Sequence, residues 1–199
     1  MAYPTVSAPY GLKPVNLIGG QVFAGATRQF PIASAYAANV FNGDVVKLIS
    51  DGTIEKDTGT ATATPVGVFV GCSYTSPALG YTLYSQYYPT GTVASDIVAY
   101  VVDDPDTLFK VAVTAAGAST MSTVARTAVG NNSVLIQTAG STATGDSKVS
   151  ISATTATTAT QPMRIIDVVP ETATGADAFP EVIVKWNWGM HQYQNATGV

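Results

Sequence analysis

No stretch of this chain carries a long apolar repeat of period 3.6 closed by capping residues. At best, Thr120 to Thr127 offers one short helix. Short apolar segments recur instead, cut by glycine and proline. Asp44-Val-Val-Lys-Leu-Ile49, the turn Ser50-Asp51-Gly52 and Thr53-Ile-Glu55 form a hairpin signal, because Asp-Gly supplies the positive φ a tight turn needs. Pro65 to Tyr74 reads as a strand with small residues at Gly67 and Gly71. Asp96 to Val102 is a nearly continuous apolar run, as in a strand covered on both faces. Leu108–Val113, Arg164–Val169 and Val182–Trp188 are further strands. In the last, Val182, Val184, Trp186 and Trp188 share a face by the period of two. Strands at roughly 8–12-residue spacing argue for an all-β barrel or sandwich. The alternation predicts a core of Val45, Leu48, Val68, Val70, Ile97, Val101, Phe109, Ile166, Val168, Val184 and Trp186.

Two regions depart from this pattern. Residues 1–25 hold Pro4, Pro9 and Pro14, which force extended or turn geometry, yet also Tyr3, Val6, Tyr10, Leu12, Val15, Leu17 and Ile18. This reads as an extended N-terminal arm before a β-domain over 26–199. The arm either folds back on its own domain or lies on a neighbouring chain. In the second case Tyr3, Pro4, Pro9, Tyr10, Leu12, Pro14 and Val15 are the residues that bind the neighbouring subunit, and the β-domain is expected to fold without residues 1–14. Residues 114–161 are rich in Ala, Thr, Ser and Gly. They read as a peripheral insertion with short strands at 134–137 and 148–151.

Charge limits the function. Only 11% of the 199 residues are charged and the net charge is -4, against about 25% charged residues in an ordinary domain. Nine scattered Lys and Arg give no basic stripe, so no nucleic-acid partner is expected. The N-terminal residues lack a basic signal-peptide region, and no apolar run approaches the ~20 residues that span a bilayer. A soluble chain with no membrane partner is expected. The lone Cys72 precludes an intrachain disulfide framework and reads as a buried strand residue. His191 is the only histidine, and no Gly-x-Ser-x-Gly elbow, Gly-x-Gly-x-x-Gly loop or Walker loop occurs. No enzyme activity, catalytic residue, cofactor or metal is therefore expected. Asp103, Asp104 and Asp106 form the one dense acidic cluster. Asp before Pro105 favours a turn over a cation site.

Several stretches resemble structural proteins of tailed phages, especially short-tailed phages of aquatic bacteria. They are Ala8–Gly20, Thr27–Ala33, Gly43–Leu48, Pro65–Cys72, Pro162–Val168 and Phe179–Trp186, with His191-Gln-Tyr193. The unit Gly-Asp-Val-Val-Lys-Leu followed by Pro-Val-Gly-Val-Phe-Val-Gly is similar to capsid decoration proteins with small β-barrel or β-tulip domains. The resemblance implies a virion protein, made in the host cytoplasm, that binds the capsid exterior as a homotrimer and bridges copies of the major capsid protein. Another virion part (tail, connector or fibre base) is the alternative. A carbohydrate-binding β-domain is a third reading, motivated by Tyr81, Tyr84, Tyr87, Tyr88, Trp186 and Trp188.

Overall fold

The computed structural model describes residues 6–199. Among them, twelve strands run in chain order: β1 (Lys13–Leu17), β2 (Arg28–Pro31), β3 (Val45–Leu48), β4 (Ile54–Lys56), β5 (Gly67–Thr75), β6 (Thr82–Ser85), β7 (Val98–Val102), β8 (Thr107–Thr114), β9 (Asn132–Thr138), β10 (Lys148–Ala156), β11 (Met163–Val168) and β12 (Glu181–Trp186). The protein is all-β. Strands β8, β10, β9, β11 and β12 close into a five-stranded barrel through the β12–β8 pairing, and β2, β7, β5, β3 and β4 form a second, open antiparallel sheet, with β6 also on β5.

Closure of five strands dictates one feature of the barrel. Strand direction reverses at each antiparallel contact, so a closed ring holds an even number of them. Five strands therefore need a parallel pair, and β8–β10 is that pair; the other four contacts are antiparallel. The parallel contact is short, joining Val113 to Ile151 and Thr114 to Ser152. The remainder of that edge of β8, from Thr107 to Lys110, is filled by β1. Residues 109 and 110 thus have β1 on one side and β12 on the other.

The N-terminal segment is consequently part of the barrel. Leu12 is fully buried in the barrel core. The Gly11 N–H donates to the Val149 carbonyl and the Leu12 N–H to the Gly43 carbonyl. Gly11 and Gly43 cross with backbones in contact. A Cβ on Gly11 would lie 2.9 Å from the Gly43 Cα, and both residues have positive φ, +82° and +95°. Only glycine fits at either position. The β-domain accordingly does not stand apart from residues 9–14, because they supply Leu12.

The Ala/Thr-rich region is not a peripheral insertion. It provides β9 and β10, two staves of the barrel, and Leu135, Val149 and Ile151 are fully buried. Small polar residues on these strands are buried as well. Ser150 shares a hydrogen bond with Thr114, and Ser133 Oγ donates to the Ser152 carbonyl.

Strands β3, β5 and β7 separate two cores. Val45, Val68 and Val102 face the barrel, while their neighbours Val46, Phe69 and Val101 face a second cluster containing Phe30, Ile54, Cys72, Tyr88 and Ile97. Both faces are covered, which explains the continuous apolar run from Ile97 to Val102. The predicted core is right for Val45, Val68, Ile97, Val101, Phe109, Val168, Val184 and Trp186. Ile166 is only half-buried and Ile165 takes the interior, because the register of β11 against β12 shifts between Ile165 and Asp167. A similar shift between Phe69 and Gly71 leaves Val70 half-buried. Leu48, at the end of β3, is half-buried too. Trp188 lies past the end of β12 and is 78% exposed.

One buried carboxylate joins the two sheets. Asp44 has no solvent exposure; its Oδ2 pairs with Lys56 Nζ at 2.8 Å and accepts the Phe41 N–H, and its Oδ1 accepts the Ser147 hydroxyl at 2.6 Å. Asp44→Ala would strand Lys56 and is expected to cost about 3–5 kcal/mol. Leu12→Ala should cost about 2–5 kcal/mol, as for other buried leucines. Urea unfolding of the two variants checks both values; a wild-type midpoint for Leu12→Ala would mean that the N-terminal segment is dispensable.

Candidate interaction site

The residues singled out for the arm divide three ways. Tyr3 and Pro4 lie outside the described residues. Pro9 and Leu12 are buried in the protein itself. Tyr10 and Pro14 are half-buried, and Val15 on β1 is 38% exposed. The Tyr10 hydroxyl donates to the buried Glu181 carboxylate, and its ring lies 5.7 Å from Lys110 Nζ. Burial and the neighbouring carboxylate raise the Tyr10 pKa, so its hydroxyl keeps its proton. Residues 9–14 are therefore seated on their own barrel, and Leu12 offers no surface to a partner.

The groups that sequence reading marks for chemistry are inaccessible or already engaged. The Cys72 thiol is buried in the second core, faces the Tyr87 carbonyl at 3.5 Å, and has its pKa pushed up to about 12 by desolvation. His191 is fully buried, with ring centroids 6.3 Å from Trp186 and 5.1 Å from Tyr193. Its Nδ1 accepts the Tyr193 N–H at 3.2 Å. Asp103 pairs with Arg28 at 2.8 Å and accepts the Tyr193 hydroxyl. Asp104 Oδ1 accepts the Asp106 N–H, and Asp106 pairs with Lys185 at 2.8 Å. The three carboxylates thus serve a turn and separate partners. Among the described residues, no group of three His, Cys, Asp or Glu is placed to hold a metal ion.

Among the described residues, two exposed apolar surfaces stand out. On the barrel, a groove of about 190 Å³ is lined by Ile18, Ile166, Trp188, Arg164, Lys185 and Asn187. Ile18 is 48% exposed. It enters the groove from the turn after β1, where its N–H donates to the Asp106 carbonyl. The backbone of Trp188 is held there, its main-chain N–H donating to the buried Asn187 side chain at 3.0 Å. Beside the second sheet, an open groove of about 440 Å³ is lined by residues including Tyr74, Pro77, Pro89, Thr92 and Val93. Leu79, Tyr81, Tyr84 and Val93 are all more than half exposed. From Thr58 to Ser95 the sequence contains no charged residue. Of the six aromatics behind the sugar-binding reading, Tyr81, Tyr84 and Trp188 are exposed, Tyr87 is half-buried, and Tyr88 and Trp186 are buried. Ile18 and Val93 carried no sequence signal of exposure, since an apolar residue reads equally as core.

Compared with protein-family models, with curated proteins and with solved structures, the chain matches none. The surfaces are therefore interpreted from their own chemistry.

Burial lowers the His191 pKa, against the raising influence of a backbone interaction with Val66 and the charges of Asp103 and Asp104. An unfolded histidine titrates near pH 6.5. Stability from neutral His191 is therefore complete above about pH 6.5. It falls at lower pH, where the unfolded chain takes up a proton that the folded one refuses. His191→Gln should flatten the loss of stability between about pH 6.5 and 5, above the carboxylate range. Urea midpoints at stepped pH measure this, and identical slopes for the two proteins would count against it.

Proposed function

We propose that this protein is a head decoration, or cement, protein of a phage virion, bound to the capsid exterior and bridging copies of the major capsid protein. The observation that carries this reading is the pair of unpartnered apolar surfaces, one on the barrel at Ile18 and Trp188, the other beside the second sheet at Leu79, Tyr81 and Val93. A bridging protein needs two separate attachment surfaces. Soluble monomers seldom expose large aromatic patches without a partner for them. The chain's low charge supports the same reading, because few charged groups need be stripped of water when such surfaces are covered. The protein acts as a homotrimer in this proposal, each subunit presenting both surfaces.

Its mechanism is mass action. A protein that binds the closed shell and not the opened one shifts the balance toward the closed shell, by about 2.7 kcal/mol per site at a hundredfold excess over Kd. Purified protein added to undecorated capsids should sediment with them at high copy number and raise the temperature at which they release DNA. A double variant, Trp188→Ala with Tyr81→Ser, should remain folded and lose that protection. Absence from the capsid surface, or a low copy number confined to one vertex, would instead indicate a tail, connector or fibre-base protein.

A further inference from the structure

The barrel groove holds a charge arrangement that its apolar lining does not explain. Arg164 on β11 and Lys185 on β12 are direct cross-strand partners. Like charges opposite each other on a sheet face are destabilising. Lys185 is relieved by Asp106 at 2.8 Å. Arg164 meets only neutral acceptors: its Nε donates to Asn132 Oδ1 at 2.9 Å and its Nη2 to Asn187 Oδ1 at 3.2 Å. Of the nine Lys and Arg, seven have a carboxylate partner, and among the described residues Arg164 and Lys148 do not.

The two asparagines that hold Arg164 are rigid. Asn132 and Asn187 are 1% and 5% exposed, and their amide groups donate to backbone carbonyls of the β10–β11 connection, at Thr158, Ala159 and Gln161. Asn187 Oδ1 also fixes the Trp188 backbone. One buried amide therefore binds an exposed guanidinium and the backbone of an exposed tryptophan in the same groove. Arginine and tryptophan are the residues most enriched at the centres of protein interfaces.

We propose that this groove binds a carboxylate side chain flanked by an apolar residue on the partner protein. The carboxylate meets Arg164 beside Lys185, and its apolar neighbour covers Trp188, Ile18 and Ile166. With Lys185 paired to Asp106, the groove keeps one guanidinium without a carboxylate, so charge complementarity selects an acidic group on the partner. One unneutralised guanidinium with apolar flanks does not make the cationic track that a phosphate backbone requires. The inference deepens the capsid-binding reading and rests on it: the partner segment belongs to a capsid subunit.

The test uses full-length protein and undecorated capsids. Arg164→Gln and Trp188→Ala should each weaken binding by about tenfold or more, as interface centres do. Arg164→Lys should fall between, because lysine lacks the bidentate fork. Both Arg164 and Trp188 are exposed, so unchanged thermal unfolding separates lost binding from lost folding. A photo-cross-linking residue at Trp188 should join a capsid peptide that contains Asp or Glu next to an apolar side chain. Wild-type binding by all three variants, or cross-links only to peptides without a carboxylate, overturns the groove and leaves the capsid reading standing. If wild-type protein itself ignores capsids, the capsid reading fails. The groove is then judged by nuclear magnetic resonance with acetyl-Phe-Glu-amide and acetyl-Phe-Gln-amide. A shift of the Trp188 indole by the first alone supports it, and equal responses overturn it.

Discussion

The fold turns on the Asp44 carboxylate. It is a full charge out of contact with water, and a buried charge is tolerated only when paired and hydrogen-bonded. Its partners come from three parts of the chain. Lys56 follows from the β3–β4 hairpin, the Phe41 N–H from the loop before β3, and Ser147 from the entry to β10. The backbone on either side of Asp44 is tied to the same junction. The Gly43 N–H donates to the Phe69 carbonyl, the Phe69 N–H to the Asp44 carbonyl and the Ser147 N–H to the Asn42 carbonyl. Lys13 adds a hydrogen bond to Asn42 at 2.7 Å. The open sheet, the barrel and the N-terminal segment therefore share one polar knot, and none of them can shift without disturbing the others.

Around that knot the sequence was readable wherever period two held. The Asp-Gly hairpin, the doubly covered run at Ile97–Val102 and the Val182–Trp186 face are all present. It misled where a register shift broke the period, at Ile166, since a bulge moves the buried position by one residue and leaves composition unchanged. The Ala/Thr-rich region misled for another reason. Small and hydroxylated side chains read as surface, yet Thr114 and Ser150 are buried as a bonded pair, Ser133 is buried on the Ser152 carbonyl, and the same strands carry Leu135, Val149 and Ile151 into the core.

The interaction surfaces were legible only in part. Exposed tyrosines in an uncharged stretch can be picked out by eye, but a tryptophan at the end of a strand cannot be told from one inside it. Trp186 and Trp188 differ by a single period, and only the end of β12 separates buried from exposed. The pairing of Arg164 with Lys185 depends on the shifted register of β11, which local sequence does not reveal.

The place of β8 sets the order in which the barrel can be completed during synthesis. Three strands meet β8: β1 from the start of the chain, β10, and β12 from its end. As the chain emerges, β8 gains β1 at once, but its other edge, from Phe109 to Ala112, waits until residues 181–184 have been made. Until then a growing chain with few charges presents an unpaired strand edge, the feature that most readily pairs with the wrong neighbour. Closure is thus a late, long-range event, and its yield depends on keeping nascent copies apart.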